Sequence, residues 1–260
     1  MTGVALALLS GLLVGFSLGL VGGGGSILAT PLLLYVVGVV PPHTAIGTGA
    51  VAVAANAYVN LIGHARRGNV RWRSASIFAG LGAVAAWLGS VAGKSINGDA
   101  LLFLFGCLMV VVGGLMLRRR TEAVASNGNG PPTLRGDLAV AAMALVAGAA
   151  SGFFGIGGGF LIVPALIIAT GMPTVQAVGS SLLAVGSFGT ATAVSYAWSG
   201  FVDWQVAAEF LVGGVCGGLL GTWLGAHLSA RKGLLNQIFA GLIFAVAAYV
   251  LYRSSGPLWP

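Results

Sequence analysis

The residues able to bind or react are few in this chain, and their types narrow what they do. The carboxylates are Asp99, Glu122, Asp137, Asp203 and Glu209; the histidines are His43, His64 and His227, scattered near the ends of apolar segments. No histidine stands at metal-ligand spacing from another. Cys107 and Cys216 each sit in an apolar run with no second ligand nearby, as small buried hydrophobes do. No nucleophile–base pair stands out either, so no enzyme, metal or cofactor is expected. What remains is neutral. "GLVGGGGSILATP" carries Gly23, Gly24, Gly25 and Ser26, and "GIGGGFLIVP" carries Gly157, Gly158 and Gly159. Each cluster precedes a short apolar segment, whose start offers unpaired N–H groups and a positive dipole end. Glycine lets a guest approach that backbone, and the chemistry is anion binding. A phosphate-binding P-loop is excluded, because no lysine follows at the required spacing.

Other neutral donors join these. Thr48 in "TAIGTGA" aligns with Ser180 in "QAVGSSL", and Gly49 with Ser181. Their hydroxyls either cap the apolar segments they begin or donate to an anion. Asn56 and Asn60 lie four apart, on one face of a helix. Buried amides there either hydrogen-bond between helices or face a polar path. Glu209, in "DWQVAAEFLVGG", is the carboxylate clearly inside an apolar run. It either carries protons or sits at an interface, about one and a half turns from a helix start.

The elements that must position these groups are membrane helices. Of the 260 residues 57% are hydrophobic and 7% charged, with a mean hydropathy of +0.99. A soluble domain carries about 25% charged residues, so this chain is an integral membrane protein in contact with the lipid bilayer. The net charge of +7 does not imply a nucleic-acid partner. Arg66, Arg67, Arg71 and Arg73, then Arg118, Arg119, Arg120 and Arg135, fall between apolar segments, where they set orientation. The N-terminus lacks the positive start of a signal peptide and is expected to be the first membrane helix.

Ten apolar segments are expected, at 3–21, 27–40, 44–63, 75–93, 100–117, 137–154, 159–171, 176–198, 205–226 and 233–252. Most are long enough to span; 27–40 and 159–171 are short and follow the glycine clusters. Their order repeats. "GFSLGLVGGGGSILATPLL" aligns with "GAASGFFGIGGGFLIVPAL", placing Pro31 on Pro164 at an offset of about 133. Further on, Gly68 falls on Gly200, Val70 on Val202, Trp72 on Trp204, and Gly82, Gly89 and Gly93 on Gly214, Gly221 and Gly225. These last glycines stand at the spacing of close helix packing. Residues 1–117 thus form a first membrane repeat, 118–136 a polar linker and 137–253 a second repeat.

Charge sets the direction. The 64–73 loop and the linker are arginine-rich and expected to be cytoplasmic. The counterpart loop, 199–204, has no Lys or Arg and carries Asp203 where the first half has Arg71. The bias reverses, so the repeats are expected to be inverted, with both termini outside and the chain turning back at each glycine cluster. The expected fold is all-α: a polytopic membrane protein of two inverted-topology repeats, about five helical segments each, with re-entrant or half-length helices after the Gly clusters.

The doubled glycine–proline feature, at 15–31 and 148–164, each followed by "AIGTG" or "AVGSS", resembles the TauE/SafE family of sulfite exporters. The resemblance covers 15–117 and 148–252. It implies a secondary carrier in the bacterial inner membrane for small sulfur-containing anions, sulfite or organosulfonates such as sulfoacetate, needing no ATPase subunit. A passive anion channel, or a permease for another small oxyanion or carboxylate, is the alternative. One departure stands out: the first cluster reads "GGGGS" and the second "GIGGGF". No feature of the sequence supports an oligomer.

Overall fold

The structure, a computed structural model, describes residues 2–118, 134–155, 159–227 and 232–255. Every apolar segment forms a helix, because in lipid the backbone must satisfy its own polar groups. The order is α1 (Thr2–Val21), a short irregular helix, α3 (Pro42–Arg66), α4 (Trp72–Lys94), α5 (Gly98–Arg118), α6 (Leu134–Phe154), α7 (Gly159–Thr170), α8 (Thr174–Trp198), α9 (Trp204–His227) and α10 (Lys232–Ser255). The short helix is a 3₁₀ stretch (Gly22–Leu28), one α turn α2 (Ala29–Pro31) and a π stretch (Leu32–Val37). Pro31 at the junction has no N–H to donate and its ring crowds the preceding turn, so the winding changes around it. Among the described residues, six of the helices are long and apolar enough to cross a membrane.

Most of the expected 118–136 linker and the sites at Gly157 and Gly158 lie outside the described residues. The described elements nevertheless match across the chain. Pro42 and Thr174, which open α3 and α8, are 132 residues apart, as are Arg66 and Trp198, which close them. The positive-φ glycines fall in the same register: Gly22 with Gly155, Gly38 with Gly171, Gly68 with Gly200. Gly22 and Gly155 mark the chain reversals after α1 and α6, where an L side chain would be strained.

Packing is reciprocal. Residues of α1 lie on α9 in the order Gly11 on Phe210, Gly15 on Gly214, Gly19 on Gly218, so these helices run in the same direction. Likewise α6 runs along α4, with Gly148 on Gly82 and Gly152 on Ala86. A methyl group at Gly11, Gly15, Gly19, Gly148 or Gly152 would overlap partner backbone, so the helices touch main chain to main chain. The expected packing role of Gly82, Gly89, Gly93, Gly214 and Gly221 is seen directly. The equivalent helices α3 and α8 cross in opposite directions, with Gly47 on Tyr196, Gly189 on Ala54, Gly186 on Tyr58 and Gly179 on His64. Two-thirds of α3 and α8 is buried, against less than half of the other four spans, so this antiparallel pair is the centre of the molecule. Cys107 is half-buried, but Cys216 is exposed on α9, contrary to its expected burial.

Candidate functional site

Thr48 and Ser180 are two turns inside α3 and α8, not at their starts, because Pro41–Pro42 and Pro173–Thr174 begin those helices earlier. They therefore do not cap their own helices. The Thr48 hydroxyl accepts the backbone N–H of Asp203, at 2.9 Å, just before α9. The Ser180 hydroxyl accepts the backbone N–H of Arg71, also at 2.9 Å, just before α4. Each half of the chain holds the helix start of the other half. Having accepted, each hydroxyl keeps its own proton to donate.

These two contacts stand at opposite ends of the bundle. Gly47 touches Tyr196, while Gly179 touches His64 and Asn69. Seventeen residues of α3 separate those levels, about 25 Å at 1.5 Å per residue. The glycine breaks follow the same division. Gly22 packs on Val178 and Ser181 at the arginine-rich end, and Gly155 packs on Ile46 at the Asp203 end. Gly23 and Gly24 continue the 3₁₀ backbone, Gly25 folds tightly against Ser17 and Leu18 of α1, and Ser26 is fully buried. Gly159 opens α7, which packs against the 3₁₀ stretch. The structure thus brings Gly22 together with Ser181, with Ser180 at the same end, and Thr48 to Gly155's end. It does not gather all of them at one point.

Asn56 is the expected site residue that stands nearest the middle. It is fully buried, and neither its amide nitrogen nor its oxygen has a hydrogen-bond partner among the described residues. It leans on Gly214 of α9, whose missing side chain makes room for it. Asn60, one turn on, is satisfied: its amide donates to the Asn56 carbonyl at 2.9 Å, and its oxygen accepts the Thr222 hydroxyl at 3.0 Å. The residues 132 positions later are Phe188 and Thr192, and Phe188 fills the same space against Gly82. The amide pair belongs to the first half, while Thr192 in the second is fully buried with a hydroxyl unpartnered among the described residues.

Glu209 lies at the Asp203 end. It accepts a hydrogen bond from the Gln205 amide at 3.0 Å and lines a recess of 390 Å³ with Gly38, Thr44 and Asp203. Asp203 is itself the N-cap of α9, its carboxylate accepting the Val206 N–H at 3.0 Å. At the other end Arg71 donates from Nε to Gln176 Oε1 at 2.9 Å, and Arg67 donates to the Thr222 carbonyl at 3.3 Å. Each end also carries the opposite charge: Lys94 donates to the Ser195 carbonyl at 2.8 Å and to the Ser199 hydroxyl at 2.9 Å at the Asp203 end, and Asp137 pairs with Arg73 at 2.8 Å at the arginine-rich end. Among the described residues no three His, Cys, Asp or Glu side chains gather closely enough to hold a metal ion.

Two features escape sequence reasoning. The crossed caps join residues 155 and 109 positions apart, with no local signal. His64 continues the Asn56–Asn60 spacing by another four residues, a signal that is present in the sequence.

Known proteins resemble this chain along its length. The family profile described as "Sulfite exporter TauE/SafE" matches residues 7–250. A "Probable membrane transporter protein" of Xylella fastidiosa (strain 9a5c) is 61% identical over 245 residues, 94% of both chains. The "Probable membrane transporter protein YdhB" of Bacillus subtilis (strain 168) is 28% identical, covering 92% of this chain and 96% of its own. No solved structure matches closely enough to count as similar.

Proposed function

The chain belongs to the sulfite exporter TauE/SafE family and is a multi-pass membrane transporter, and on that premise we propose that its cargo is a small sulfur-containing anion. Sulfite and organosulfonates such as sulfoacetate are the cargo class. Transport runs by alternating access as a secondary carrier across the bacterial inner membrane, with the 64–73 loop cytoplasmic.

One observation carries the mechanism: the two halves hold each other by matching contacts at opposite ends. Thr48 grips the start of α9, Ser180 grips the start of α4, and the core helices α3 and α8 cross antiparallel. A molecule with two equivalent ends has two equivalent gates, the arrangement on which inverted-repeat carriers work. Release of one contact opens one end while the other stays shut. The anion is held by neutral donors in the interior, with Asn56 central. Gly23, Gly24, Gly25, Ser26, Ser180 and Ser181 serve its path at the arginine-rich end, and Thr48 and Gly159 serve it from the second glycine cluster's side. A sulfonate spreads its charge over three oxygens and accepts many N–H and O–H donors, so it needs no ion pair at mid-membrane.

Counterflow in proteoliposomes tests this reading. Unlabelled sulfite or sulfoacetate loaded inside should accelerate uptake of the labelled anion several-fold. Uptake indifferent to the internal anion means a passive channel, and no uptake of either anion overturns the cargo.

A further inference from the structure

The polar face of α3 does not stop at Asn60. His64 follows four residues later, so Asn56, Asn60 and His64 form one stripe, about 12 Å long by helix rise. His64 is 8% exposed, and neither ring nitrogen has a hydrogen-bond partner among the described residues. A buried imidazole with the Gly19 carbonyl within reach still has a ring nitrogen to offer a ligand.

Its surroundings indicate which ligand. On the α1 side stands Gly19, whose carbonyl is within electrostatic reach of the ring. On the α8 side stand Gly179, which touches the His64 side chain, and Ser180. The 3₁₀ stretch places Gly22 against Val178 and Ser181 one turn away. On α9, Thr222 packs against Gly63. None of these carries charge. Among the charged groups at this end, Arg67 acts on the ring directly, Arg71 is held over Gln176 of α8, Arg66 is exposed, and Arg73 pairs with Asp137 at 2.8 Å. The carboxylate among them is taken up by that ion pair. The other half does not repeat the imidazole: Tyr196 stands 132 residues on from His64, with the Lys94 ammonium 5.7 Å from its ring centroid. A site walled by neutral donors and guanidinium charge suits an anion; a neutral imidazole offers it one N–H, an imidazolium two N–H donors and a charge.

We propose that His64, carrying a proton, is the cationic ligand of the transported anion at the arginine-rich end, so that binding one anion takes up one proton. The proposal rests on the anion reading above and adds the coupled ion and the residue that holds it. The proton comes from water at that end, resides on a ring nitrogen while the anion is bound, and returns to water when the anion leaves. By linkage, the proton strengthens anion binding to the degree that the anion strengthens proton binding.

Sulfoacetate is the probe, because its two acidic groups stay ionised from pH 6 to 9. Titration calorimetry on the detergent-solubilised full chain, in two buffers of different ionisation heat, counts the protons taken up. The parent should take up close to one proton per anion toward the alkaline end and lose affinity about tenfold per pH unit there. His64→Gln should take up none and bind weakly at every pH. His64→Lys, which keeps a positive charge, should also take up none but bind more tightly than His64→Gln. A His64→Gln protein that keeps the parent's proton count and pH slope overturns the proposal and leaves the cargo standing. Absence of binding to the parent at every pH overturns the cargo and His64's role together.

Discussion

At the scale of single residues, Asn56 separates a binding role from a packing role. A fully buried amide with both polar atoms unbonded is destabilising for the fold alone. Leucine has the same branched heavy-atom skeleton and nothing to satisfy. If Asn56 only packs, Asn56→Leu leaves transport intact. If it holds the anion, the variant keeps its thermal stability to within about 1 kcal/mol while uptake of labelled sulfite falls about tenfold or more, the value of a hydrogen bond to a charged partner. Melting temperature in detergent and initial uptake rate, measured on the same preparation, decide between them. The amide was legible in the sequence because its neighbour Asn60 stands one helical turn away, and two amides on one apolar helix face seldom lie idle. The role of Thr48 and Ser180 was only half legible. Their alignment across the repeat showed that they matter, but the N–H groups they hold belong to Asp203 and Arg71, which no local pattern connects to them.

At the scale of elements, the apolar segments expected from hydropathy all became helices, and the differences lie at their ends. Hydropathy places the start of α3 at residue 44 and of α8 at 176, yet both begin two residues earlier. Proline at or just before the first helical position sets that start, and an apolarity scan cannot see it. The uneven winding around Pro31 was likewise hidden, since 3₁₀, α and π turns share one composition. The crossed caps give the element-scale prediction. Ser180→Ala and Thr48→Ala each remove one hydroxyl that holds a helix start, at a cost of about 1 kcal/mol. The sites lie about 25 Å apart, so the double variant should lose the sum of the two. Denaturant or thermal unfolding in detergent measures this; a double loss well short of the sum would show that the two caps are one coupled contact. A harsher outcome is expected where helices touch main chain to main chain. Gly15→Leu drives a side chain into the Gly214 backbone and should prevent α1 from seating on α9, seen as loss of the monodisperse folded species in size-exclusion chromatography.

At the scale of the whole molecule, helix directions constrain how the chain lies in the membrane. The equivalent helices α3 and α8 are antiparallel, whereas α1 runs with α9 and α4 runs with α6. Two copies of one unit that meet in this way are related by an axis across the helices, and such an axis turns one copy upside down. The turn after α3 and the turn after α8 then face opposite sides of the bilayer. They have the same hydrogen-bond pattern: Arg67, Gly68 and Asn69 N–H groups return to His64 and Ala65, and Ser199, Gly200 and Phe201 N–H groups return to Tyr196 and Ala197. They differ in charge, arginine-rich at 66–73 and anchored by Asp203 at 199–204. The tryptophans that begin the next helices, Trp72 and Trp204, are 54% and 64% exposed, as residues at the two membrane–water interfaces are. Single cysteines at these turns test the orientation, in a background of Cys107→Ala and Cys216→Ala. Arg66→Cys and Ser199→Cys both place the thiol at an exposed position. A membrane-impermeant maleimide added to intact cells with a permeable outer membrane should label Ser199→Cys, and should label Arg66→Cys only after the inner membrane is opened. Labelling of both from one side would make the two halves parallel copies. The matched caps at Thr48 and Ser180 would then lie on the same side of the membrane, and with them would go the paired gates on which alternating access depends.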